Sequence, residues 1–179
     1  MAKQVDITYG NALFELALEE GKLDSLYEEA ILLIQSLEEN EDLIKLLGHP
    51  QVSKEEKLKI VTSTFDGKAS DELTGLMAMV VEKGHIGQII RILNYFIKQV
   101  KKEKNIGVAT VASAVELTDA QKKAIEQRLI ETTVYDTMEI GYSVDKSLIG
   151  GLVIRIEDRV VDSSIKTKLE NMSRTLANA

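Results

Sequence analysis

The sequence predicts an α+β chain: an antiparallel bundle of about six helices over residues 1–104, followed by a small α/β domain over residues 105–179. Three observations point there. Up to Lys104, apolar residues recur at three- and four-residue steps, the period of helices packed on one core. At Asn105-Ile106-Gly107 the pattern gives way to β-rich runs and strict alternation. Near the end, Gly150-Gly151 opens an apolar run, Leu152 to Ile156, that Glu157-Asp158 can turn back on itself as a tight hairpin.

The first helix is predicted over about Thr8 to Glu20. At 100° per residue, its apolar or small side chains (Ile7, Tyr9, Gly10, Ala12, Leu13, Phe14, Leu16, Ala17, Leu18) cover an arc about 240° wide, against roughly 100° for an ordinary surface helix. Such a helix is either buried on most sides, or buried on one and docked to a partner on another. Gly10, Ala12 and Ala17 leave room for a neighbouring helix to come close.

Gly21 ends that helix, and Leu23, Leu26, Tyr27, Ala30, Leu33, Ile34 and Leu37 mark the next. A short third helix holds Leu43, Leu46 and Leu47, with Gly48 as its C-terminal cap and the single proline, Pro50, just beyond. Ser53-Lys54-Glu55-Glu56 reads as a capping box opening a fourth helix with Leu58, Val61 and Phe65, which a Phe65-Asp66-Gly67 turn closes. The fifth, from about Ser70 to Lys83, buries Leu73, Leu76, Met77, Val80 and Val81. Met79 falls on another side near Gly75 and Ala78, as an adaptable contact or simply an exposed methionine. Ile86, Ile89, Ile90, Leu93, Phe96, Ile97 and Val100 make the sixth, whose terminal lysines complement the helix dipole.

Beyond the boundary, Val108 to Val115 reads as a strand. Thr118 to Gln121 reads as a second capping box, for a helix carrying Ala124, Ile125, Arg128 and Leu129. Met138, Ile140, Tyr142 and Val144 alternate as a half-buried strand. After the hairpin, Ile165, Leu169, Met172 and Leu176 share one face of a last helix.

Composition narrows the function. The 179 residues are 44% apolar and 28% charged, a globular profile, with a net charge of −7. Thirteen basic stand against eighteen acidic residues through Lys104, and nine against eleven after it, so neither part suits nucleic acid or an anionic lipid surface. Aromatics at 4% argue against base-stacking platforms. The absence of cysteine removes disulfides, thiolate metal sites and thiol nucleophiles. No run approaches the roughly 20 apolar residues of a membrane span, and the N-terminus has neither a secretory nor a transit pattern. A cytoplasmic protein of bacterial type is the expectation.

Chemistry is sparse. His49 beside Pro50 and His85 beside Gly84 lack partners at metal-ligand spacing, and the acidic stretch Glu38 to Asp42 lacks a calcium-loop spacing. Gly150-Gly151 precedes a strand and no lysine-serine follows, so it is a hairpin entry where glycine relieves crowding and permits positive φ, not a phosphate loop. Nothing assembles a nucleophile, base and oxyanion site, and no cofactor or metal is expected. The chain reads as a binding or scaffolding protein.

Several stretches together resemble the δ subunit family of bacterial rotary ATP synthases, the counterpart of the oligomycin-sensitivity-conferring protein. They are Tyr9 to Ala17, Asn94-Tyr95-Phe96, and above all Val144 to Ile156 continuing through Asp158 to Asp162 and Ser164 to Leu169. Two positions depart from that family, Glu157 in the hairpin turn and Ser163 after the aspartate, where glycine is common; both bear on local turn geometry. The resemblance implies a non-catalytic stator connector on the cytoplasmic side of the membrane, one copy within a hetero-oligomeric complex. Its N-terminal domain would bind N-terminal helices of α subunits in a groove between the first and fifth helices. Its C-terminal domain would hold the distal ends of the b subunits, so that proton-driven rotation is coupled to ATP synthesis. By motif match, Tyr9, Ala12, Leu16 and Met79 would contact the α subunits, with Gly75 and Ala78 as weaker candidates. The last helix and the hairpin surface are nominated for the b subunits. The alternative is a free-standing helical adaptor for an amphipathic partner helix.

Overall fold

The computed structural model describes residues 2–65, 67 and 69–177. Asp66, placed above in a turn, lies outside the described residues. Two compact units follow one another, the first through Lys101 and the second from Lys102.

The first unit contains α1 (Ala2–Glu19), α2 (Leu23–Glu39), α3 (Glu41–Gly48), α4 (Lys54–Phe65), α5 (Asp71–Glu82) and most of α6 (Ile89–Glu103). Its core joins Leu13 and Ala17 of α1, Leu26, Leu33 and Leu37 of α2, the whole predicted face of α5, and Ile92, Leu93, Phe96 and Val100 of α6. A buried Leu, Ile or Phe side chain contributes about 1.5–3 kcal/mol, so this interdigitated set dominates the unit's stability.

Local chemistry sets several boundaries. Ser53 Oγ accepts from Glu56 N–H at 3.2 Å while Ser53 N–H donates to Glu56 Oε2 at 3.1 Å, the reciprocal pair that starts α4. Two boundaries differ from the periodicity. α1 begins a turn and a half earlier than Thr8, because Val5 and Asp6 fall on its core side, with Asp6 buried and Val5 packed on the core. Gly48 is the last residue of α3 rather than its cap; His49 caps it in an extended conformation, with ψ 130°, and Leu46 is exposed instead of joining the core. The sixth helical stretch also starts as a 3₁₀ turn, Ile86–Gln88, before becoming regular at Ile89.

The second unit is a four-stranded sheet of β1 (Ile106–Ser113), β2 (Thr137–Val144), β3 (Leu152–Ile156) and β4 (Arg159–Asp162), in the order β2-β1-β3-β4. β1 and β2 are parallel, joined by α7 (Asp119–Thr132), and the rest is antiparallel. Leu129 and Ile125 of α7 pack on Ala109, Met138, Ile140, Ile154 and Ile156. The alternation along β2 fades: Met138 is buried, but Tyr142 and Val144 are exposed. Thr118 caps α7, accepting from Gln121 N–H at 3.4 Å while its own N–H donates to Gln121 Oε1 at 2.9 Å. Replacing Thr118 with alanine is expected to cost about 1 kcal/mol, read as a lower urea midpoint of the second unit.

Ile156 pairs with Arg159, so the hairpin turn holds only Glu157 and Asp158. Glu157 takes φ 48°, the left-handed conformation glycine adopts without strain. Its carboxylate accepts a hydrogen bond from the Tyr135 hydroxyl, which raises the tyrosine pKa. That bond ties the hairpin to the segment before β2. Gly151, at φ 79°, is where the backbone needs glycine: a Cβ there would stand 2.4 Å from Ser163 O. α8 (Ile165–Ala177) follows, started by Ser164, whose Oγ accepts from Thr167 N–H at 3.2 Å, and by Asp162, which accepts from Ser164 N–H at 2.8 Å and Thr167 Oγ1 at 2.7 Å.

Candidate partner-binding face of the first helix

One side of α1 is fastened to α6. Arg91 Nη2 donates to Asp6 Oδ2 at 2.6 Å, and Gln99 Nε2 donates to Asn11 Oδ1 and to Tyr95 Oη, both at 3.1 Å. Between them Gly10 lets the helices close, since a Cβ there would lie 2.4 Å from Tyr95 Cδ1 and 3.3 Å from Ile92 O. The partners of residues 6, 10 and 11 rise in order along α6, so the two helices run in the same direction.

The other flank faces α5. Lys22, just past α1, bonds Glu72 in the first turn of α5. The Tyr9 ring lies 6.3 Å from the His85 ring, tilted by 57°, on the connection that follows α5. These tie points run in opposite order, so α1 and α5 are antiparallel. They bracket Ala12 and Leu16 on one helix and Met79 on the other. Tyr9 and Leu16 are half-buried, Ala12 is exposed, and Met79 is 51% exposed. Tyr9, Ala12 and Leu16 share one face of α1, and Met79 lies on α5 seven residues after Glu72, on the helix face that Glu72 presents to Lys22. Gly75 is exposed with open space above it, and Ala78 is half-buried.

Sequence reasoning missed Val5, four residues before Tyr9, which extends that row by one turn; carrying the periodicity upstream of Thr8 would have found it. It also counted Ile7 and Leu18 within a single apolar arc. Both are exposed and lie at least 140° around the helix from the row's centre.

The seam's lower end is electrostatically held. The Lys22 ammonium, with a smaller contribution from Glu20, draws the Glu72 carboxyl from 4.5 to about 2, and Glu20 sits 2.7 Å from the same lysine. Because the folded value lies below the unfolded one, this stabilisation is complete above about pH 4.5 and drains away as pH falls toward 2. Glu72→Gln should flatten the stability–pH profile across that window, measured by thermal unfolding at stepped pH. An unchanged acid slope would show that the pair contributes nothing to folding.

The histidines belong to connections: His49 Nδ1 accepts from Gln51 N–H at 3.3 Å, and His85 stacks near Tyr9. Among the described residues no group of three or more histidine or acidic side chains could hold a metal ion. Cavities of about 430 and 250 Å³ lie away from α1, at the acidic α2–α3 turn and between α2 and α4.

Comparison with known proteins decides the family. The profile described as ATP synthase delta (OSCP) subunit matches residues 5–176. The ATP synthase subunit delta of Lachnoclostridium phytofermentans is 48% identical over 176 residues, 98% of this chain and 97% of that protein. The chain belongs to the ATP synthase delta family. A further delta subunit, from Prochlorococcus marinus, is 30% identical over 99% of this chain and 98% of its own length. A chain of the Toxoplasma gondii mitochondrial ATP synthase shares the fold, with a TM-score of 0.75 at 18% identity over 96% of this chain and 97% of that one.

This delta-family chain is therefore a stator component that links the F1 head to the peripheral stalk, and its relatives are structural subunits of a multi-subunit complex. Membership over nearly the full length does not favour the free-standing adaptor. The ATP synthase is a membrane-associated complex, and among the described residues no helix is long and apolar enough to cross a membrane.

Proposed function

We propose that the helical part, through residue 104, grips the catalytic head, and that the part from residue 105 holds the stalk. In this reading the row Tyr9, Ala12 and Leu16, with Met79 across the seam, receives N-terminal helices of the α subunits. The second part receives the distal ends of the b subunits through α8 and the hairpin. The chain acts as one copy in the complex, on the cytoplasmic side of a bacterial membrane, with no catalysis, cofactor, nucleic acid or membrane insertion of its own. Held at both ends, it resists rotor torque so that proton flow drives ATP synthesis instead of turning the head.

The observation that carries this reading is the asymmetry of α1. One side is locked to α6 by Asp6, Gly10 and Asn11, while the other offers spaced apolar anchors along α5. Helix-in-groove docking requires such anchors on a firm floor, because a floor that must first be ordered takes free energy from binding.

The test is calorimetric titration of the full chain with a synthetic α-subunit N-terminal peptide and, separately, with the C-terminal segment of the b subunit. Each is expected to bind one equivalent, and saturation with one should leave the affinity for the other unchanged. Competition between them would defeat the division of labour. No heat from the α peptide would defeat the head contact.

A further inference from the structure

We propose that Ile149 is a pre-strained anchor of the stalk-facing surface, and that this surface selects an amphipathic helix whose apolar row is edged by acidic side chains. The inference rests on the stalk contact proposed above and adds the residue that fixes it and the chemistry that is recognised.

Ile149 sits at φ 66°, ψ −38°. At positive φ with negative ψ this is outside the left-handed helical basin, in a conformation that strains any side chain, a β-branched one most, and that glycine alone adopts freely. Burial does not explain the choice, because Ile149 is 64% exposed. The neighbouring chain holds the conformation from both sides. Asp145 Oδ1 accepts from Ser147 N–H at 2.9 Å, Ile149 N–H donates to Lys146 O at 3.3 Å, and Gly150 O accepts from Ile165 N–H at 2.9 Å. Leu148 is buried beneath. Strain kept at an exposed apolar side chain, with nothing gained inside the fold, points to a contact outside it.

The next residue, Gly150, adjoins a row that the chain leaves uncovered. Gly150 lies against Ile165, where a Cβ would come within 2.6 Å of Ile165 Cδ1. From there Ile165, Leu169, Met172 and Leu176 are 43%, 51%, 62% and 78% exposed. Their four-three-four spacing is that of a seam packed by another helix. With Leu169 and Leu176 at the a positions, the edge positions e and g beside Leu169 are Lys166 and Lys168. Glu170 is the only acid on the helix, and Arg174 lies on the side opposite the row. Lys166 also faces Asp145 and Asp162, which hydrogen bonds from Ser147, Ser164 and Thr167 keep ionised, so its charge is partly balanced within the chain. In a chain of net charge −7 this cationic edge is a local exception, and it complements a helix with glutamate or aspartate beside its apolar row.

The experiment uses the full chain, the purified peripheral-stalk polypeptide of the same ATP synthase, and two synthetic helical peptides. The peptides share an apolar row at four-three spacing, one edged by glutamates and the other by lysines. Ile149→Gly should raise the unfolding midpoint by relieving the backbone, yet weaken stalk binding at least about tenfold, the loss typical of an anchor residue. Leu169→Asp, at an exposed site, should abolish binding. The glutamate-edged peptide should bind at least about tenfold tighter than the lysine-edged one, with the gap closing in high salt. If Ile149→Gly leaves stalk affinity unchanged, or fails to raise the midpoint, the anchor is overturned while the stalk contact stands, provided Leu169→Asp still abolishes binding. If Leu169→Asp also leaves affinity unchanged, the stalk contact itself fails. Equal affinity for the two peptides overturns the acidic edge.

Discussion

Replacing Ala12 with aspartate should lower the affinity of the full chain for an α-subunit N-terminal peptide at least thirtyfold or so, while the protein stays folded. Ala12 is exposed and lies between Tyr9 and Leu16, at the centre of the row. A carboxylate there meets water in the free protein, so folding loses only helix propensity, less than about 1 kcal/mol. In the complex the same carboxylate faces the partner's apolar anchors without a hydrogen-bond donor. An uncompensated polar group costs about 2 kcal/mol or more, equivalent to roughly thirtyfold in affinity. Calorimetry measures the binding and circular dichroism the fold. Wild-type affinity in a folded Ala12→Asp protein would remove the first-helix row from the account.

The second large effect separates two glycines that propensity treats alike. Gly10→Val should destabilise the helical unit by about 2–3 kcal/mol, since its Cβ would stand 2.4 Å from Tyr95 Cδ1 and 3.3 Å from Ile92 O. Tyr95 is also held by Gln99, so the ring yields only by loosening the Gln99–Asn11 bond, and α1 lifts from α6. Gly75→Ala should do the opposite. No atom lies within 4 Å of a Cβ at that position, so the methyl group only restricts the unfolded chain and improves helix propensity, a gain of roughly 0.5–1 kcal/mol. Urea unfolding of both variants checks the pair. A Gly10→Val protein as stable as the wild type would mean that α1 does not rest on α6 through Gly10.

The features legible in the sequence are those written in neighbouring residues. The capping boxes at Ser53 and Thr118 close within four residues, and both form. The hairpin needs only its glycine entry, two apolar runs and a two-residue turn. The α5 core face is a clean helical stripe, and each of its five apolar positions is buried. What escaped depends on partners far along the chain. No neighbouring residue marks Asp6 for burial, yet it is buried with Arg91, 85 residues away, as its partner. Tyr142 and Val144 alternate correctly with Met138, but alternation says which face they share and not how far α7 extends to cover it. Periodicity could place Ile165, Leu169, Met172 and Leu176 on one face of α8. It could not show that the face stays open. At the candidate site, the row on α1 was legible as part of an over-wide apolar arc; the division of that arc by α6 was not.

The central claim is that one chain bridges head and stalk through two separate surfaces. Co-sedimentation of the full chain with delta-depleted F1 and the purified peripheral stalk tests it directly. The wild type should carry the stalk into the F1 pellet. Ala12→Asp should lose F1 and keep the stalk, and Leu169→Asp should lose the stalk and keep F1. A variant that loses both partners, or a pair of variants that loses neither, would contradict the account.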